Sequence, residues 1–251
     1  MTYLEYYNKL KTIPITSNEV DIILNLFKNK KPFAFSRFND GEMMGIQKIG
    51  SLVARGDQYI DESLHIKLIQ AIEHVQKNYF IGLPCSNCYP EYYSLAKKLI
   101  KQPVEYQLNA VILTNRNWIR FITEFSTVIE NQNILWISGS DQNLDFLLMG
   151  MKLNIISQLK YYEKNTWSQY NHIKQQYIEF IKNKPEVNIV IVSLGPTARV
   201  FCKEMFEIDP TRTFVDIGST FDPFTRNIWH NCHLGWIETG FNYTKKCKIC
   251  N

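Results

Sequence analysis

The sequence predicts an α/β domain of Rossmann-like character, a mostly parallel sheet with helices on both faces. Three observations lead there. Short apolar runs alternate along the chain with longer segments of helical period, the pattern of βαβ units. The strongest run, Val187-Asn-Ile-Val-Ile-Val-Ser193, is β-branched and apolar on both faces, as a parallel strand covered by helices on each side requires. The chain of 251 residues, 45% hydrophobic and 21% charged, is long enough to bury a large core. No repeat, low-complexity tract or clean linker divides it. Residues 1–251 therefore read as one domain, with lobes of about 1–130 and 131–251 as the only subdivision on offer.

Each element follows in order. Thr16-Ser-Asn-Glu19 has capping-box spacing, and Val20, Ile23, Leu24 and Phe27 recur at helical intervals, so an amphipathic helix comes first. Lys31-Pro32 leads into a strand at Phe33-Ala-Phe-Ser36. A helix begins near Glu42 and runs to Gln47, whereas Ser51 to Tyr59, with Arg55-Gly56-Asp57, reads as loop. Asp61 to Asn78 is a long helix with Leu64, Leu68, Ile72 and Val75 inward, and Tyr79-Phe-Ile-Gly-Leu83 is an apolar strand. A helix from Pro90 to Lys101, a strand at Ala110-Val-Ile-Leu113 and a helix from Arg116 to Ile129 complete this half. In that last helix Trp118, Ile119, Ile122 and Phe125 share one side. Asn133-Ile-Leu-Trp-Ile137 restarts the alternation, and Ser138-Gly-Ser-Asp141 turns into a helix reaching Lys152. Asn154-Ile-Ile-Ser157 is a weaker strand, and Asn165 to Asn183 a long helix. After the strand ending at Ser193, Gly195-Pro-Thr197 opens a helix to about Ile208, and Thr213-Phe-Val-Asp-Ile217 is the last strand.

Composition excludes several classes. The formal charge is only +4 and the basic residues are dispersed; the densest run, Lys28-Asn-Lys-Lys31, is a solvated helix end, so nothing favours nucleic acid. The first residues, Met1-Thr-Tyr-Leu-Glu-Tyr-Tyr-Asn-Lys-Leu10, lack a signal-peptide layout. No apolar run approaches the roughly 20 residues of a membrane span. The expectation is a cytoplasmic protein without a transmembrane segment. Six cysteines in a chain this long do not make a disulfide scaffold.

Ligands of open α/β sheets bind beyond the carboxyl ends of the strands. Three polar turns fall there: Arg37–Glu42, Ser138–Asp141 with Gly139, and Ser193–Thr197. In the first, Asp40 and Glu42 can face one pocket and hold Mg2+ or Mn2+, which takes one or two carboxylates and completes its shell with water and phosphates. Arg37 adds a planar fork suited to a phosphate. The same residues equally make an ordinary turn in which Glu42 caps the following helix. In the third turn Gly195 permits an unusual backbone angle, Pro196 suits a first helical position and Thr197 brings a hydroxyl. A helix N-terminus there is a natural diphosphate cradle, though a plain strand-to-helix turn looks the same. No G-x-G-x-x-G follows the first strand and no P-loop is present, which argues against a dinucleotide oxidoreductase or an NTPase of the usual type.

Ser36-Arg-Phe-Asn-Asp-Gly-Glu42 resembles the R-F-x-D-G-E signature of the GT-D-type glycosyltransferases. Ser193-Leu-Gly-Pro-Thr-Ala198 and Val215-Asp-Ile-Gly218 are similar to that family's L-G-P-T-A and D-I-G elements, with Ile134–Gly139 and Asn165-Thr-Trp167 between them in order. The resemblance spans roughly residues 30 to 225. It implies a Rossmann-like enzyme that moves a sugar from a nucleoside-diphosphate donor, usually a UDP-sugar, to a glycan or glycoconjugate acceptor. On that resemblance Asp40 and Glu42 hold the divalent metal and the diphosphate, Arg37 is a phosphate or positioning contact, and Gly195, Pro196 and Thr197 belong to the donor site. The family commonly places a histidine after the D-I-G glycine, whereas Ser219 follows here, so Asp216 or Asp222 becomes a candidate base for the acceptor hydroxyl, Asp216 reading equally as a strand-end residue that caps a turn. A non-catalytic nucleotide-sugar-binding protein and a metal-dependent phosphohydrolase are the alternatives.

Two C-x-x-C pairs, Cys85–Cys88 and Cys247–Cys250, have the ligand set of a tetrahedral structural zinc site, at a separation longer than a zinc ribbon uses; they read equally as thiols. Cys202 reads as a small core residue, and Cys232-His233 and His230 lack the pairing that would argue for metal. Trp229, Trp236 and Phe241 could stack on an acceptor sugar or simply pack.

Overall fold

Apolar alternation along each strand dictates the layering. In strand β8 (Ile189–Ser193), Val190 and Val192 enter one core while Ile189 and Ile191 enter the other, so this strand must be sandwiched. The structure, a computed structural model, describes residues 20–50, 52–53, 58–162 and 165–228. The expectations for Thr16–Glu19, Arg55–Asp57, Trp229, His230, Cys232, His233, Trp236, Phe241, Cys247 and Cys250 lie outside those residues.

Helix α1 (Asp21–Lys28) buries Ile23, Leu24 and Phe27 and precedes strand β1 (Ala34–Arg37) and helix α2 (Asp40–Gln47). Strands β2 (Leu52–Val53) and β3 (Gln58–Tyr59) pair antiparallel as a small ribbon where the sequence reads as loop. Then come α3 (Glu62–Ile72), β4 (Tyr79–Leu83), α4 (Pro90–Leu99), β5 (Gln107–Asn109) and α5 (Trp118–Val128). Strand β6 (Asn133–Gly139), α6 (Asp145–Gly150), β7 (Asn154–Tyr161), α7 (Tyr170–Asn183), β8, α8 (Thr197–Ile208), β9 (Thr213–Asp216) and α9 (Asp222–Thr225) follow.

Seven strands form one sheet in the order β5-β4-β1-β9-β8-β6-β7, and every pairing in it is parallel. Strand β1 sits between β4 and β9, so the two halves of the chain share one sheet. Met43 and Ile46 of α2, Leu64 and Leu68 of α3, Ile173 and Tyr177 of α7, and Phe201 and Met205 of α8 cover one face. Ile23 and Phe27 of α1, Trp118 and Phe125 of α5, and Leu147 of α6 cover the other. The α/β class, with a parallel sheet between two helical layers, is the one the sequence predicts.

Three local expectations are corrected. Helix α3 stops at Ile72, well before the expected Asn78, which adopts a left-handed φ of 63° that no helix continues through. Val75 is consequently outside the buried stripe, 56% exposed. The strand expected at Ala110–Leu113 is instead Gln107–Asn109, and the apolar residues after it form a turn whose Ala110 N–H donates to Leu83 O at 2.8 Å.

One polar knot braces the α3–α7–α8 face. Glu204 accepts from Lys67 Nζ at 2.8 Å, Lys174 Nζ at 2.9 Å and Tyr170 Oη at 2.7 Å. Burial alone would raise its carboxyl, but these three donors outweigh burial and hold it at about 2 against an ordinary 4.5. A carboxylate lowered in the folded state stabilises fully above its unfolded value and loses that contribution as pH falls through the folded one. Glu204→Gln is therefore expected to cost about 2 kcal/mol and roughly 4–8 °C in Tm near neutral pH. In thermal unfolding scans the gap to wild type should close between pH 4.5 and 2; a gap independent of pH would contradict the assignment.

Candidate active site

Parallel strands send all their C-terminal tips to one edge, where the helices that follow begin. The tips of β1, β9 and β8 are neighbours there, so the turns after Arg37, Asp216 and Ser193 come together. The acidic bend and the proline-bearing bend are thus on the same side of the molecule, and a side chain absent from the expected site residues joins them. Arg199, 5% exposed in the second turn's helix α8, donates from Nη2 to Glu42 Oε1 at 2.9 Å and from Nη1 to Gly195 O at 2.5 Å. Its Nε donates to Arg37 O at 2.6 Å and lies 3.1 Å from Asp216 Oδ2. The available signal was its setting, since Thr197, Ala198, Val200, Phe201 and Cys202 around it are all buried. A charge in such a stretch needs partners inside.

Of the two roles expected of Arg37, phosphate contact or positioning, its bonds here are of the positioning kind. It is 6% exposed, and its Nε and Nη1 donate to Ala110 O and Ile217 O, both at 2.7 Å. Its fork ties the turn after β5 to the turn after β9. Asp216 is fully buried; Oδ2 accepts from Arg37 N at 3.2 Å and Oδ1 from Gly218 N at 3.0 Å, in addition to the Arg199 contact. A general base has to reach the proton it removes, and a carboxylate spent on three internal donors does not, so the geometry corrects the reading of Asp216 as a base. Asp222, the other candidate, is 3% exposed in the first turn of α9, with Oδ2 3.8 Å from Arg226 Nη1. Arg226 also pairs with Asp141 of the Ser138–Asp141 turn at 2.9 Å.

The two carboxylates of the acidic bend have unlike environments. Glu42 is 7% exposed, and Oε2 accepts from the Asn39 N–H at 3.1 Å while Oε1 holds Arg199. It is the helix-capping residue that one reading of the sequence allowed, and an ion-pair partner as well. Burial pushes its carboxyl above the ordinary value, with Arg199 opposing and Asp216 adding to the rise. Asp40, at the start of α2, is half-buried and has no hydrogen-bond or ion-pair partner among the described residues. A hard divalent cation could take Asp40 as its protein ligand and fill the remaining positions with water and phosphate oxygens. Glu42 has one donor on each oxygen, so each keeps a lone pair for a cation, as the expected second ligand would need. No group of three or more His, Cys, Asp or Glu side chains suited to a metal occurs among the described residues.

In the proline-bearing bend, Gly195 has a left-handed φ of 55°, and a Cβ there would sit 3.1 Å from Cγ of Gln58. The Thr197 hydroxyl is fully buried, 2.8 Å from Thr166 Oγ1, which in turn donates to Leu194 O at 2.9 Å. That hydroxyl therefore braces the bend from inside instead of facing a ligand. Gly139 ends β6 at the same edge, where Gln142 bridges Trp136 and Ser193. Cys85 is buried against Val111 and Cys88 exposed on the segment after β4.

No protein-family model and no curated protein matches the chain. Solved structures do. A selenomethionine-substituted domain of unknown function 1792 superposes with a TM-score of 0.66 at 17% identity, over 98% of this chain and 89% of its own. A structure described as a new glycosyltransferase (DUF1792) from Streptococcus sanguinis gives 0.66 at 17% identity over 90% and 86%. A third, presented as showing that the highly conserved domain of unknown function 1792 has a distinct glycosyltransferase fold, gives 0.65 at 16% over 98% and 89%. The fold of this chain is that of these domains.

Gly218 provides a check on the network. Its φ is 49°, and a Cβ would approach Arg37 Nη1 to 2.7 Å, where the guanidinium is pinned by two carbonyls. Gly218→Ala is expected to cost about 1–3 kcal/mol in denaturant unfolding; wild-type stability would show that Arg37 is not held there.

Proposed function

We propose that this protein is a metal-dependent glycosyltransferase of the GT-D type. It would move a sugar from a nucleoside-diphosphate donor, UDP-linked in the first instance, to a glycan or glycoconjugate acceptor. The observation that supports this reading is the meeting, at one sheet edge, of Asp40, a carboxylate without a partner among the described residues, and the N-terminus of α8 behind Gly195-Pro196. The fold shared with domains described as glycosyltransferases supports it as well.

Breaking the sugar–phosphate bond leaves negative charge on a diphosphate, and catalysis lies in meeting that charge. Asp40 would hold Mn2+ or Mg2+, which when bound neutralises the phosphate oxygens of the leaving group. The backbone from Gly195 to Thr197 and the positive end of α8 would face the same group. Glu42 contributes by capping α2 and holding Arg199, and so by placing Asp40. Asp216 is spent inside, and Asp222, 3% exposed beside Arg226, is no more open to an acceptor proton.

A non-catalytic nucleotide-sugar-binding protein is the second reading, favoured by Ser219 where the family commonly has histidine. Release of UDP from UDP-sugars with Mn2+ separates the two, and release of inorganic phosphate would instead indicate a phosphohydrolase. Structural zinc on Cys85, Cys88, Cys247 and Cys250 is a separate proposal, measured by elemental analysis of the purified protein.

Asp40→Asn is expected to keep the fold and stability, since the carboxylate has no partner among the described residues, while abolishing Mn2+-dependent donor binding and transfer. Calorimetry with UDP and Mn2+ checks this; retained metal-dependent binding in Asp40→Asn would remove Asp40 from the metal role.

A further inference from the structure

The two segments that face the proposed donor belong to different parts of the chain. Asp40 lies in the first turn of α2, two positions before Glu42, and Pro196 follows directly on Gly195. Glu42 and the Gly195 carbonyl are both held by the one guanidinium of Arg199. The same group holds the end of β1 through the Arg37 carbonyl and the end of β9 through Asp216. The Arg199 main chain is tied to β1 in return, since Ser36 Oγ donates to its carbonyl at 3.3 Å.

We infer that Arg199 is the positioning residue of this site, setting the spacing between the Asp40 carboxylate and the turn at Gly195-Pro196 through its simultaneous bonds to Glu42, Asp216 and the Arg37 and Gly195 carbonyls. The inference rests on the proposed function for the identity of what that spacing serves. Only a planar fork with donors on three nitrogens makes this set of contacts; a lysine ammonium is a point with three hydrogens and reaches at most part of it. Arg199 does not itself touch the donor in this arrangement. It acts through Glu42, which fixes the first turn of α2, and through Gly195, whose carbonyl orients the following bend.

The test compares wild type with Arg199→Lys, at a temperature where circular dichroism shows both fully folded. Binding of UDP, GDP and dTDP with Mn2+ is measured by calorimetry, and donor turnover is measured per folded molecule. The expected result is a folded Arg199→Lys protein whose kcat/KM falls on the order of a hundredfold, as for an ångström-scale misplacement of reacting groups, with KM for the donor raised and kcat lowered together. Wild-type kcat and KM per folded molecule, whatever the Tm, would make Arg199 a stability residue only and overturn the inference. If Arg199→Lys does not fold, Glu42→Gln carries the same test, because it keeps an acceptor for Asn39 N–H while discharging the ion pair. It should lose donor turnover yet retain affinity for Mn2+ alone, whereas unaltered turnover in Glu42→Gln overturns the inference. Absence of nucleoside-diphosphate binding by the wild-type protein is a different result, and removes the proposed function together with what rests on it.

Discussion

One guanidinium between two buried carboxylates is the interaction on which the rest of the candidate site depends. Glu42 and Asp216 come from different segments and are 7% and 0% exposed, so each has given up most of its water. Burying two like charges side by side is unfavourable unless a cation sits between them with good geometry and the remaining lone pairs find donors. Arg199 meets the first condition, and the Asn39, Arg37 and Gly218 backbone N–H groups meet the second. Among the described residues Arg199 is the one cation between them, so its loss would leave both buried carboxylates without a counter-charge. The consequence of this arrangement is that the tips of β1, β8 and β9 cannot shift independently.

This unit divides the polar residues of the sheet edge into two kinds. Arg37, Glu42 and Asp216 turn inward and bond carbonyls or backbone amides, and Thr197 bonds the Thr166 hydroxyl. Asp40 differs from them in having no hydrogen-bond or ion-pair partner among the described residues. Edges where parallel strands end gather many unpaired backbone groups, and these must be satisfied before anything can bind there. A motif at such an edge accordingly mixes residues that shape the turn with residues that touch the substrate, and residue type alone does not sort them.

The sheet was legible because its physics is local. The β-branched run at Val187–Ser193 and the apolar run Tyr79–Leu83 permit little else, and β4 spans the residues the pattern predicts. The misreadings were decided by single backbone angles or long-range contacts. Nothing in the apolar spacing of Leu64 to Val75 announces that Asn78 takes a left-handed conformation. The β2–β3 ribbon is held by antiparallel pairing of two short strands, and the buried Gln58 on it bonds Thr166, far along the chain. Arg199 was hidden for the same reason: its partners lie on β1, α2 and β9, and only the folded sheet order brings them within reach. That the acidic and proline-bearing turns meet at one sheet edge was readable, because parallel strands send their tips to the same side. Which carboxylate is left open there was not, because that depends on which one the arginine takes.

The convergence of the acidic and proline-bearing bends on a single diphosphate can be seen directly in crystals grown with Mn2+ and UDP. Anomalous scattering should place one manganese within coordination distance of Asp40, with phosphate oxygens between it and the start of α8. Manganese and diphosphate bound at the opposite, N-terminal edge of the sheet, or on either helical face, would contradict it.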